Sequence, residues 1–160
     1  MNIFTKSLAI ASAVLLLAAC ETTPGGSSGA DGRGGAGGNA APGTQEDLAQ
    51  NVGDRVFFDF DSATITPEGQ RTLERQAAWL KQYGNMNVTV EGHADERGTR
   101  EYNLALGERR ASAVKKYLVG LGVAANRVST ISYGKERPAV IGSDESAWSQ
   151  NRRGVTVLSN

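Results

Sequence analysis

The stretch Asn87-Val88-Thr89-Val90-Glu91-Gly92-His93-Ala94-Asp95-Glu96-Arg97-Gly98-Thr99 changes character halfway along. Asn87 to Glu91 alternates with the two-residue period of a half-buried strand. Gly92 to Gly98 is rich in turn formers. A long helical pattern then runs from about Thr99 to Val119, closed by Gly120 and Gly122. Working outward, Arg55-Val56-Phe57-Phe58-Asp59-Phe60 is an aromatic and β-branched run, hence a strand, and Asp61 to Ile65 leaves it as a loop. Thr66 before Pro67 reads as an N-cap followed by proline at the first helical position. Leu73, Ala77 and Leu80 follow at helical spacing up to Gly84. Downstream, Arg127 to Tyr133 alternates as a third strand. Gly134 to Asn151 reads as a loop, and Arg153 to Leu158 as the last strand. The order β-α-β-α-β-β predicts an α/β fold (an α+β sandwich), with two main helices packed on one face of a four-stranded mixed sheet. Strand-helix-strand units favour parallel neighbours. The last strand has only a loop before it and is expected to be antiparallel.

The second helix carries an anomaly. With Asn103 at the origin of a helical wheel, Leu106, Arg110, Ala113, Val114, Tyr117, Leu118 and Leu121 fall on one stripe facing the sheet. Asn103 and Arg110 do not belong in an apolar stripe. They stack two turns apart. A buried arginine must meet an acid or a ligand, or lie at an open rim, and Asp95, in the loop feeding the helix, is the nearest candidate. An aspartate and an arginine facing one crevice can hold a zwitterion, since the carboxylate accepts from an ammonium and the guanidinium forks onto a carboxylate. The same spacing also fits a structural Asp95–Arg110 salt bridge that fixes the loop.

The N-terminus has a different composition. Lys6 precedes the apolar run Leu8 to Leu17, too short for a spanning helix, which needs roughly 20 residues. Leu17-Ala18-Ala19-Cys20 closes it with the only cysteine of the chain. The tetrad resembles a bacterial lipobox. That resemblance implies cleavage before Cys20, acylation of its thiol and amine, and firm membrane anchoring by several acyl chains; the alternative is an ordinary export signal with an incidental cysteine. Glu21, rather than an aspartate, follows Cys20 and leans toward the outer membrane. Residues 21 to 45 hold no aromatic or branched aliphatic side chain and nine glycines from Gly25 to Gly43. Such a segment cannot build a core. Its expected end-to-end distance as a flexible tether is roughly 25–30 Å. The expected organisation is therefore a leader over residues 1–19, a lipidated linker over 20–50 and one folded domain over 51–160.

Several blocks together resemble the peptidoglycan-associated lipoproteins of the wider OmpA C-terminal-like domain family. They are Phe58-Asp59-Phe60-Asp61, Val90 to Thr99, Tyr102-Asn103-Leu104, Leu106 to Ala111, Ser132 to Pro138 and Asn151-Arg152-Arg153. The resemblance implies an OmpA-like fold and non-covalent binding of the diaminopimelate side chain in the stem peptide of peptidoglycan. It implies that Asp95 takes the ligand ammonium, that Arg110 takes a carboxylate and that Asn103 lines the same pocket. Phe60, Asp61, Asn151 and Arg152 would form its walls. It also implies membership of the Tol–Pal system, with the periplasmic β-propeller TolB as a partner and roles in envelope integrity and cell division. The chain would be an outer-membrane lipoprotein with its domain in the periplasm.

Other chemistries fit less well. His93, Asp95 and Glu96 are metal-ligand types, but the chain has one histidine and, after lipidation, no free cysteine. His93 is expected as a hydrogen-bonding rim residue, and no metal or cofactor is expected. No serine lies in a nucleophile motif, so the chain is not read as an enzyme. Seventeen basic residues balance seventeen acidic ones. Arg97, Arg100, Arg109 and Arg110 are interleaved with Glu96, Glu101 and Glu108, which predicts a solvated mixed-charge face rather than a nucleic-acid site.

Overall fold

In a computed structural model, residues 40–159 are described. Cys20, the expected leader and most of the expected linker lie outside them. Chain order is α1 (Gln45–Asp47), continued by a π-helical turn (Leu48–Val52), then β1 (Arg55–Phe57), α2 (Pro67–Gln82), β2 (Asn87–His93), α3 (Arg100–Gly120), β3 (Val128–Gly134), α4 (Glu145–Asn151) and β4 (Arg153–Ser159). The strands form one sheet in the order β1-β4-β2-β3. β4 is antiparallel to both β1 and β2, and β2 is parallel to β3. No described helix is long and apolar enough to cross a membrane.

The packing follows from the patterns. Val88 and Val90 of β2 point under α2 and α3 and join Leu73, Leu80, Val114 and Leu118 in the core. Thr66 caps α2 by accepting from the Gly69 N–H, and Pro67 follows it. Thr99 caps α3 by accepting from Tyr102 N–H. One polar link crosses this core. Gln76 of α2 donates to the Gly53 carbonyl at 2.6 Å and accepts from the Thr156 hydroxyl of β4 at 2.8 Å. It ties the helix to the central strand and to the turn before β1.

Three differences from the sequence reading have physical causes. β1 ends at Phe57 rather than Phe60 because the Asp59 and Ser62 carbonyls turn away to accept from Arg110. The segment 134–151 is not all loop: Asp144 caps α4 by accepting from Ala147 N–H, and the helix buries Ala147 and Asn151. Ordered structure also begins upstream of residue 51. Leu48 is fully buried. The Asp47 carboxylate accepts from Gly43 N–H, Asn51 Nδ2 and the Trp79 indole, each at 2.8 Å.

Candidate functional site

β2 and α3 meet at two glycines. A Cβ on Gly92 would stand 1.8 Å from the Gly107 carbonyl oxygen, and one on Gly107 would stand 2.3 Å from Ser132 Oγ. Only glycine permits this approach. The contact seats the first half of α3 over the carboxyl end of β2, where the register shifts between Gly92 and His93. Asn103 and Arg110, one turn to either side of Gly107, are thereby held above the strand end.

A cavity of about 190 Å³ opens there. Phe60, Asp61, Asp95, Arg97, Gly98, Tyr102, Asn103, Leu106 and Arg110 line it. Asp95, Arg110, Asn103, Phe60 and Asp61 are thus brought together. Arg152 lies behind: its Nε donates to the Phe58 carbonyl at 3.0 Å, and Nη1 reaches Asp95 at 3.4 Å. Asn151 is not a wall of this cavity. Its carboxamide oxygen accepts from Ala139 and Val140 N–H and its Nδ2 donates to the Val140 carbonyl, so it is spent on holding the loop before α4.

Arg110 is fully buried and meets no carboxylate directly. Nε donates to Ser62 O at 2.8 Å, Nη1 to His93 O at 2.8 Å and Nη2 to Asp59 O at 3.1 Å. The expected acid or rim position is replaced by three backbone carbonyls. A guanidinium has five N–H donors, so one on each terminal nitrogen remains free for a carboxylate. Burial pushes its pKa down to about 10, against the opposing pull of Asp95.

Asp95 is also buried, and its partner is not Arg110. Arg97 donates to it from Nη2 at 2.6 Å, from Nε at 3.2 Å and from the backbone N–H at 3.1 Å. Burial raises the Asp95 carboxyl, but the Arg97 bonds and charge, helped by Arg152, outweigh it and hold the group below its ordinary value. The Arg97 guanidinium is stacked between the Phe60 and Trp148 rings, 4.1 and 4.0 Å from their centroids. Asn103 fixes the same loop by donating to the Arg97 carbonyl at 2.8 Å. Asp61, the one described non-glycine residue at positive φ (52°), accepts from the Tyr102 hydroxyl.

The expected mixed-charge face is therefore split. Arg97 sits on Asp95, Arg110 is buried, Arg100 pairs with Glu136 at 3.3 Å, and Arg109 lies over Tyr102. Arg97 and Tyr102 line the cavity and Trp148 backs Arg97, and none of the three was an expected wall residue. Arg97 had one readable signal: it stands two residues after an aspartate, the spacing of an Asx turn. His93 corrects another expectation. Its ring is buried rather than at the rim, and neither ring nitrogen is hydrogen-bonded. Among the described residues, no three His, Cys, Asp or Glu side chains are grouped to hold a metal.

Comparison with known proteins agrees with this architecture. A model of the OmpA family matches residues 57–152. A peptidoglycan-associated lipoprotein of Rhizobium meliloti is 58% identical over 144 residues, covering 90% of this chain and 82% of that protein. One from Haemophilus influenzae is 47% identical, covering 97% and 98%. The crystal structure of the peptidoglycan-associated lipoprotein from Burkholderia pseudomallei superimposes with a TM-score of 0.66 at 40% identity, over 71% of this chain and all of that one. The C-terminal domain of Helicobacter pylori MotB does so at 0.62 and 25% identity, over 67% and 84%. The glycine-seated helix, the four-stranded sheet and these similarities have one reading: the chain belongs to the OmpA family and, within it, to the peptidoglycan-associated lipoproteins.

Proposed function

We propose that this chain is a non-enzymatic outer-membrane lipoprotein that grips peptidoglycan through the diaminopimelate side chain of its stem peptide. The observation that carries the reading is the pairing of Asp95 and Arg110, opposite in charge and both buried, on one small cavity. A ligand carboxylate accepts from the two free N–H groups of Arg110, and its ammonium donates to Asp95. In the ligand-free protein the place of that ammonium is taken by the Arg97 guanidinium. Phe60, Tyr102 and Leu106 supply apolar walls for the methylene chain. Acylation at Cys20 holds the outer membrane, and the domain faces the periplasm. The Tol–Pal system, with TolB as a protein partner and a role in envelope integrity and division, is the setting that fits the family.

Retention on isolated diaminopimelate-type peptidoglycan tests the reading, using the full chain in detergent micelles. Asp95→Asn keeps the shape and removes the charge. The parent is expected to be retained and Asp95→Asn lost, with the variant still folded by circular dichroism. Equal retention of both would place the wall-binding site elsewhere.

A further inference from the structure

Asp95 has no acceptor position left. A carboxylate offers about four lone-pair positions. Here Oδ1 receives Arg97 N–H and Nε, and Oδ2 receives Arg97 Nη2 and Arg152 Nη1. An incoming ammonium must therefore replace an existing donor. The backbone N–H of Arg97 belongs to the turn. Arg152 is buried and tied to the Phe58 carbonyl and to Glu145. The Arg97 side chain alone is both partly exposed, at 31%, and directed into the cavity.

From this arrangement we infer that Arg97 is an internal competitor for the cationic half of the site. Its guanidinium occupies Asp95 until a ligand ammonium displaces it. The inference rests on the reading of the crevice as a zwitterion site. Displacement leaves the guanidinium with company. The Phe60 and Trp148 faces flank it, and the Glu145 and Glu96 carboxylates act on its charge. The loop meanwhile stays anchored without the Arg97 side chain. Lys135 Nζ holds the Glu96 and Gly98 carbonyls at 3.1 and 2.6 Å, and Asn103 holds the Arg97 carbonyl. Arg97 thus acts as a gate of modest strength. It keeps Asp95 charged and paired when the site is empty, and it lowers apparent affinity by the cost of its own release. A neutral ligand group does not replace the lost charge pair, so the gate also favours ligands that bring a cation.

Calorimetric titration of the full chain in micelles with a disaccharide-tetrapeptide muropeptide carrying free diaminopimelate tests this. Arg97→Met keeps an apolar stem between the two rings and removes the competing charge. It is expected to bind about tenfold tighter than the parent. Arg97→Lys keeps the charge without the fork and is expected to fall between them. In the parent, ligand is expected to shift the NMR signals of Arg97 Nε–H and the Trp148 indole N–H together. Parent binding with an equal or weaker Arg97→Met overturns the gate and makes Arg97 a bystander or a ligand contact. Absence of binding by the parent and by both variants overturns the zwitterion reading itself, and the gate with it.

Discussion

Gly92 and Gly107 decide where the site lies. Their backbones touch, so a methyl group at either position collides with main chain or with Ser132. Gly92→Ala is expected to lower stability by about 2–4 kcal/mol, because α3 must lift off β2. Chemical denaturation measures this, and an unchanged midpoint would mean that the helix has freedom to slide. Arg110 has a second role beside any ligand. Arg110→Ala strands the buried His93 carbonyl and removes the donor from the part-buried Asp59 and Ser62 carbonyls, so it is expected to destabilise the loop after β1 as well as abolish binding. His93, the chain's only histidine, is buried beside Tyr133, with the Glu91 carboxylate 3.5 Å from Nε2. Burial first, then the Arg153 and Arg137 charges, push its pKa down to about 4. The unfolded chain therefore binds the extra proton between about pH 6.5 and 4. Stability is full above that window and is lost as pH falls through it, by up to about 3 kcal/mol. The melting temperature is expected to fall from pH 7 to 4.5, and His93→Phe to flatten that slope. A slope unchanged in His93→Phe would assign the effect to carboxylates.

Among the elements, the short ones carry more than their length suggests. The α1 and π-helical turn inserts Leu48 into the core and Asp47 under Trp79. Leu48→Ala is expected to cost about 2–5 kcal/mol, read from thermal or denaturant unfolding; a loss under 1 kcal/mol would make the segment an ornament. Loss of the α4 cap in Asp144→Ala is expected to cost about 1 kcal/mol and to loosen Trp148 above Arg97. Both elements escaped the sequence reading for one reason: neither is long enough to show a period. Gln45–Val52 follows a glycine-rich run, and a single leucine marks its buried face. Glu145–Asn151 buries only Ala147 and Asn151. The long elements were legible because α2, α3 and the three longer strands repeat their pattern over two or more periods. The pairing of Asn103 with Arg110 on one line of α3 was legible for the same reason. Their partners were not, because the carbonyls that hold Arg110 come from Asp59, Ser62 and His93, and backbone leaves no trace in side-chain pattern. The central place of β4, the last strand in the chain, rests on its ladders with the distant β1 and β2 and was equally hidden.

Taken whole, the domain has two poles. At one, Gln45 bonds Leu158 N–H and Thr156 O, so the start of the described chain and its last strand end side by side. The cavity sits at the other, beyond the carboxyl end of β2. The seven residues of β2 separate the poles, a span of roughly 20 Å. A pull applied between the N-terminal lead and an occupant of the cavity enters at β1 and crosses β4 to reach β2, each neighbouring pair antiparallel and side by side. Their ladders are then loaded in shear, where many hydrogen bonds share the tension and must yield together. A pull on the two ends of the described chain, which share a pole, instead peels β4 from β1 one rung at a time. In single-molecule stretching, a handle on the exposed Glu96, in the loop after β2, paired with one at the N-terminus is expected to need a larger rupture force than handles at both ends. The placement of the cavity thus makes the sheet act as a rope along one axis and a zipper along another.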